Sequence, residues 1–175
     1  IFPLRGVGAT MLRFRLQRCT GNSIRLKFKS LFMPDIYTDG ACSRNGQEDA
    51  KASWSFVVVK NHEKVYEASG FVTGKQTNNT GELTAINEAI HYAIDNDYES
   101  VTIYSDSRYA IDSLTVWNLD KKFKGQQKAN YALIKDTKSL MEQIDVSFVW
   151  VRGHANNWYN DMADSLANSL VGITY

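Results

Sequence analysis

At Asn79 the hydrophobic period of the chain changes from that of strands to that of a helix, and this change restricts the fold more than any other feature. Residues 35–42 (DIYTDGAC), 52–60 (ASWSFVVVK) and 64–73 (KVYEASGFVT) are strand-like, rich in β-branched and aromatic side chains, and the Asn61-His62 turn joins the last two. They predict an antiparallel meander. From Asn79 to Asp95, Leu83, Ile86, Ile90 and Ile94 line one helical face, flanked by Ala85, Ala89 and Ala93. A strand is expected at 101–106 (VTIYSD), helical stretches at 107–119 and about 129–143, and a strand at 145–151 (DVSFVWV). A last helix carries Tyr159, Met162, Ala163, Leu166, Ala167 and Leu170 at i, i+3, i+4, i+7, i+8, i+11. This order predicts an α/β fold built on a mixed sheet.

The chain has 175 residues, enough for one domain with a sizeable core. No run approaches the roughly 18 apolar residues of a membrane-spanning helix, so no membrane partner is expected. Two cysteines, Cys19 and Cys42, are too few for a disulfide scaffold or a structural zinc site, which makes a reducing, cytoplasmic setting the expectation. A monomer is the default.

Charge is unevenly distributed. Residues 1–33 hold Arg5, Arg13, Arg15, Arg18, Arg25, Lys27 and Lys29 and no acid, whereas residues 34–175 hold 13 basic and 19 acidic residues, net −6. The basic stretch reads as a mitochondrial presequence starting at Met11, as a nucleic-acid-binding arm, or as an extension ahead of a working start at Met33. A genuine presequence would make the protein mitochondrial. The remaining residues, 34–175, are expected to form the folded domain.

Four acids stand where an apolar pattern meets an element boundary: Asp39 inside the first strand, Glu82 at the start of the long helix, Asp106 at the end of VTIYSD, and Asp164 in the last helix one turn after Asp161. Each has a local reading. Glu82 with Asn79 fits a capping box, Asp106 an N-cap, Asp39 an Asx turn with Gly40, and the last two solvated charges. Jointly they suggest a metal site, because converging carboxylates repel unless cations neutralise them, and hard oxygen ligands suit Mg²⁺ or Mn²⁺. Two such ions about 4 Å apart clamp a phosphodiester for in-line displacement.

The strings YTDGACSRNG (37–46), TNNTGEL (77–83), IYSDSRYA (103–110), WVRGHA (150–155) and NDMADSLA (160–167) resemble, in order and spacing, the five blocks of type 1 ribonuclease H. The resemblance implies a five-stranded mixed sheet, first three strands antiparallel, with helices on both faces. It implies endonucleolytic cleavage of the RNA strand of RNA/DNA hybrids with two Mg²⁺ ions, leaving 5′-phosphate and 3′-hydroxyl ends. Asp39, Glu82, Asp106 and Asp164 match the metal-binding carboxylates, with Asp39 bridging both ions, Glu82 and Asp106 completing one site and Asp164 the other. His154 matches the family's mobile histidine, a group that titrates near neutral pH and moves protons.

By the same resemblance Asn45, Asn78, Asn79 and Arg108 fall at hybrid contacts, where short polar groups read the 2′-hydroxyl. Thr73, Asn130 and Arg152 are candidates for a pocket that holds a DNA phosphate. Lys121, Lys122, Phe123, Lys124 and Lys128, following Trp117, resemble a shortened basic protrusion that grips the backbone and makes binding salt-dependent. The loop after Asn45 (GQEDAKAS) departs from the family's glycine- and proline-rich turn, and no separate hybrid-binding domain is visible. Competing readings are the ribonuclease H domain of a reverse transcriptase or mobile element, and a non-catalytic hybrid-binding module.

Overall fold

The computed structural model describes residues 33–123, 130–153 and 156–174. Three strands, β1 (Asp35–Ser43), β2 (Lys51–Lys60) and β3 (Glu63–Phe71), are followed by helix α1 (Asn78–Asp95) and strand β4 (Ser100–Ser105). Helices α2 (Arg108–Thr115), α3 (Leu119–Phe123) and α4 (Tyr131–Met141), strand β5 (Asp145–Trp150) and helix α5 (Trp158–Leu170) complete the chain. The five strands form one sheet in the order β3-β2-β1-β4-β5, with β1–β2 and β2–β3 antiparallel and β1–β4 and β4–β5 parallel. The expected mixed sheet is therefore present.

Local chemistry accounts for the boundaries. Asn61 and His62 both have positive φ (51° and 64°), as a two-residue turn between right-twisted strands requires, and Lys60 pairs with Glu63 across it. Helix α1 begins on a capping box, but its partners are Thr77 and Thr80 rather than Asn79 and Glu82. Helix α2 is capped by the Ser107 side chain, which accepts from the Ala110 N–H, so Asp106 does not serve as its cap. Both acids are thereby left without a helix-capping task. The helical stretch expected over 107–119 ends at Thr115, with Val116 as the α2 C-cap, and α3 is a further short helix beginning at Leu119.

Each sheet face is covered by helix. Helix α1 packs on β1, β2 and β4, and the main core joins Ile36, Phe56, Val101 and Ile103 to Leu83, Ile86 and Ile90 of α1 and Ile134 of α4, all buried. Ile94 is only partly buried at its margin. On the opposite face Ala163 and Ala167 of α5 are fully buried, and Ala163 packs with Val57 and Val59. Two buried serines of β2 hold that helix close: Ser53 Oγ donates to Ala167 O and Ser55 Oγ to Ala163 O, each at 2.5 Å. Among the described residues no helix is long and apolar enough to cross a membrane.

Candidate active site

Parallel pairing brings two of the four acids together. Tyr37 of β1 lies beside Tyr104 of β4 and their rings stack at 4.5 Å; Asp39 follows two residues on within β1, and Asp106 two residues on, directly after β4 ends. Glu82 arrives from α1, whose first turns lie against β1 at Gly40. A Cβ on Gly40 would overlap the backbone of Gly81 and Glu82, so only glycine permits this approach. One carboxylate oxygen from each of Asp39, Glu82 and Asp106 lies within 4.8 Å of the others.

Asp39 and Glu82 are 5% and 4% exposed, depths at which an acid is rarely found without a partner. The Gly40 N–H donates to Asp39 Oδ1 at 2.8 Å, while Glu82 Oε2 is buried with no hydrogen-bond partner among the described residues. Burial, and then the charge of Asp106, push the Asp39 carboxyl well above the usual carboxylate range. Glu82 is raised likewise by burial, then by Asp39 and Asp106. The donor set is all oxygen, and its unpartnered buried atom calls for a cation: the residues fit a hard divalent metal.

Asp164, on α5, is near enough to Asp39 to help raise its pKa, but stands outside the group of three acids that lie within 4.8 Å of one another. Its own Oδ1 accepts from Asn168 Nδ2 at 2.9 Å, one turn along the helix. Asp161 is exposed, whereas Asp164 is half-buried. Asn168, 6% exposed, was not among the sequence candidates, although i+4 spacing from an acid is a legible signal for such a contact. Asn168→Ala should weaken divalent-cation affinity by about tenfold, the scale of losing a partner that orients a ligand. Calorimetric titration of the variant with Mg²⁺ checks this.

The expected nucleic-acid contacts are mostly exposed, with local partners of their own. Asn45 Oδ1 accepts the Asn78 N–H at 3.1 Å, which ties the β1–β2 loop to the exposed start of α1 beside Asn79. Asn130 donates to the Tyr109 hydroxyl at 2.8 Å, and its Oδ1 is buried without a partner among the described residues. Thr73 and Arg152 are exposed, as are Lys121 and Lys122 of α3, with Lys122 Nζ 4.4 Å over the Trp117 ring. Arg108 is exposed and stacks on Trp150. His154, Lys124 and Lys128 lie outside the described residues.

The family model of RNase H matches residues 34–171. The chain belongs to the ribonuclease H family. A ribonuclease H of Clostridium botulinum is 35% identical over 143 residues, covering 78% of this chain and 93% of that protein. The crystal structure of LC9-RNase H1, a type 1 RNase H with the type 2 active-site motif, has TM-score 0.66 at 26% identity, covering 80% of this chain and 72% of that one. LC11-RNase H1 in complex with RNA/DNA hybrid shares the fold, with TM-score 0.60 at 21% identity over 78% of this chain and 94% of that one. This ribonuclease H is therefore a type 1 enzyme whose three clustered acids sit in the middle of β1, directly after β4 and in the second turn of α1.

Proposed function

We propose that the enzyme hydrolyses the RNA strand of RNA/DNA hybrids to 5′-phosphate and 3′-hydroxyl ends, using two divalent cations held by Asp39, Glu82, Asp106 and Asp164. The observation that carries this reading is the convergence of three carboxylates within 4.8 Å, two of them buried and one with an unpartnered oxygen. Bound there, Mg²⁺, or Mn²⁺ in its place, supplies water activation and charge stabilisation at the departing 3′ oxygen. The protein's own part is to hold four carboxylates on four elements, β1, α1, the end of β4 and α5, so that little reorganisation is needed when substrate arrives. In this reading Asp39 would contribute to both cation positions, with Glu82 and Asp106 completing one and Asp164 the other. His154, three residues before the start of α5's N-cap, is assigned the movement of a proton at the leaving group.

Hybrid selection follows from the polar rim. Asn45, Asn78 and Asn79 offer amide groups to 2′-hydroxyls, which only the RNA strand carries. Asn130, Thr73 and Arg152 hold a DNA phosphate, and Lys121, Lys122 and Lys124 grip the backbone electrostatically. The deciding experiment compares a labelled hybrid with duplex RNA, duplex DNA and single-stranded RNA, in Mg²⁺ and in chelator, for the wild type and Asp106→Asn. Cutting of the hybrid's RNA strand alone, lost in chelator and in the variant, is the expected result. A folded wild type that binds the hybrid in Mg²⁺ without cutting it would instead make the chain a binding module.

A further inference from the structure

The turn that carries Asp106 is braced by a residue outside the carboxylate set. Residues 105–108 leave β4 and enter α2 within four positions, so the direction of the Asp106 side chain depends on how that backbone is held. The Ser107 N–H donates to Ser105 Oγ at 3.1 Å, and the Val151 N–H donates to Ser105 O at 3.0 Å, which fixes the entry to the turn. Just before Val151, at the end of edge strand β5, the Trp150 indole N–H donates to the backbone carbonyl of Asp106 itself at 3.0 Å. The same ring lies under Arg108, whose guanidinium carbon is 4.2 Å from the ring centroid. One side chain thus grips the residues on both sides of Ser107.

Core packing does not explain this tryptophan. It is 41% exposed, on an edge strand, while its neighbour in the same strand, Phe148, packs against the main core. What the indole does instead is specific to its two contacts. A guanidinium held over an aromatic face keeps its N–H donors available to receive a phosphate. The position matters as well: a phosphodiester brought towards three carboxylates is repelled by them, and a fixed cation two residues from Asp106 offsets that repulsion.

We propose that Trp150 is a positioning residue for the reaction, its indole N–H setting the Asp106 backbone and its ring holding the Arg108 guanidinium beside the carboxylates as a contact for a nucleic-acid backbone phosphate. The inference rests on the hydrolytic reading above. It divides one side chain into two separable tasks, a donor that acts on the metal-binding acid and a surface that acts on the substrate-binding cation.

The test uses the full chain as wild type, Trp150→Phe, Trp150→Leu and Arg108→Gln, each checked for folding by thermal unfolding. Mg²⁺ is titrated into the metal-free proteins by calorimetry, and hybrid binding is followed by fluorescence anisotropy in chelator across a salt series. Trp150→Phe keeps a ring under Arg108 and loses the donor, so Mg²⁺ affinity falls about tenfold while the salt slope of hybrid binding holds. Arg108→Gln keeps the donor, so Mg²⁺ affinity does not fall while the slope of log K against log salt drops by about one, the signature of one lost phosphate contact. Trp150→Leu shows both changes. Wild-type Mg²⁺ affinity in Trp150→Phe, or a wild-type salt slope in Trp150→Leu, would overturn the proposal. A wild type that binds Mg²⁺ and hybrid but cuts nothing removes the hydrolytic reading instead, and the split between the variants remains readable.

Discussion

Asp39→Asn is expected to lose at least about 10³-fold in hybrid cleavage, since it removes a buried member of the clustered carboxylates. In metal-free protein the same change stabilises the fold. The asparagine Oδ1 still accepts the Gly40 N–H, its amide is a donor beside the unpartnered Glu82 Oε2, and one buried negative charge disappears. A gain of about 1–3 kcal/mol, or roughly 3–10 °C in Tm, is the expected scale. The pH dependence has a definite sign. Burial raises the folded-state pKa of both Asp39 and Glu82 above their unfolded values, so between the ordinary and the raised values the native state holds more protons than the unfolded chain and stability falls as pH rises. Their contribution is fully present below the ordinary carboxylate range near pH 4 and is lost as pH climbs through the raised values. The margin of Asp39→Asn over wild type should therefore be widest at alkaline pH and close towards acid. Added Mg²⁺ should stabilise the wild type and leave the variant nearly unmoved. Thermal unfolding in chelator and in Mg²⁺, across pH, measures all of this; a margin independent of pH would show that the buried acids are not what Asp39→Asn relieves.

Such a site is legible in sequence to the extent that it depends on element boundaries. Asp39 stood out because strand interiors seldom hold a charge, and Asp106 because it directly follows a buried strand. What periodicity cannot supply is the agent that brings the elements together. Gly40 reads as ordinary turn chemistry next to an aspartate, yet β1 runs straight through it, and its role is to let two backbones touch. Ser53 and Ser55 look like the polar alternation of a half-exposed strand, whereas both are fully buried and bonded to carbonyls of α5. Trp150 sits inside a recognisable block, but its contact with Asp106 bridges 44 positions of sequence and follows only from β4–β5 pairing. The capping readings of Glu82 and Asp106 fit the spacing but lose to neighbours: Thr77 with Thr80 caps the start of α1, and Ser107 that of α2.

Gly40→Ala is expected to be the most damaging single-methyl change in the protein. The added Cβ would overlap Glu82 N and the Gly81 carbonyl carbon, and neither can swing aside because both belong to the backbone of α1. Gly81 closes the same contact from the helix side, where a Cβ would lie 2.6 Å from Ser53 O and 3.3 Å from Gly40 Cα. Relief requires α1 to move off β1, which opens the core held by Leu83, Ile86 and Ile90, so about 3 kcal/mol or more should be lost. The same displacement carries Glu82 away from Asp39 and Asp106. Whatever remains folded should then bind Mg²⁺ more weakly, although no carboxylate has been altered. Gly46→Ala is the informative contrast: at φ 85° with nothing within 4 Å of its Cβ, it bears only the conformational cost, about 1 kcal/mol, and sits away from the acids. Denaturant unfolding joined to Mg²⁺ titration separates the two. If Gly40→Ala behaved like Gly46→Ala in both measurements, the close approach of β1 and α1 would not be what assembles the carboxylates. If it lost stability and cation affinity together, one hydrogen atom in place of a methyl group would account for both the packing of the long helix and the assembly of the site.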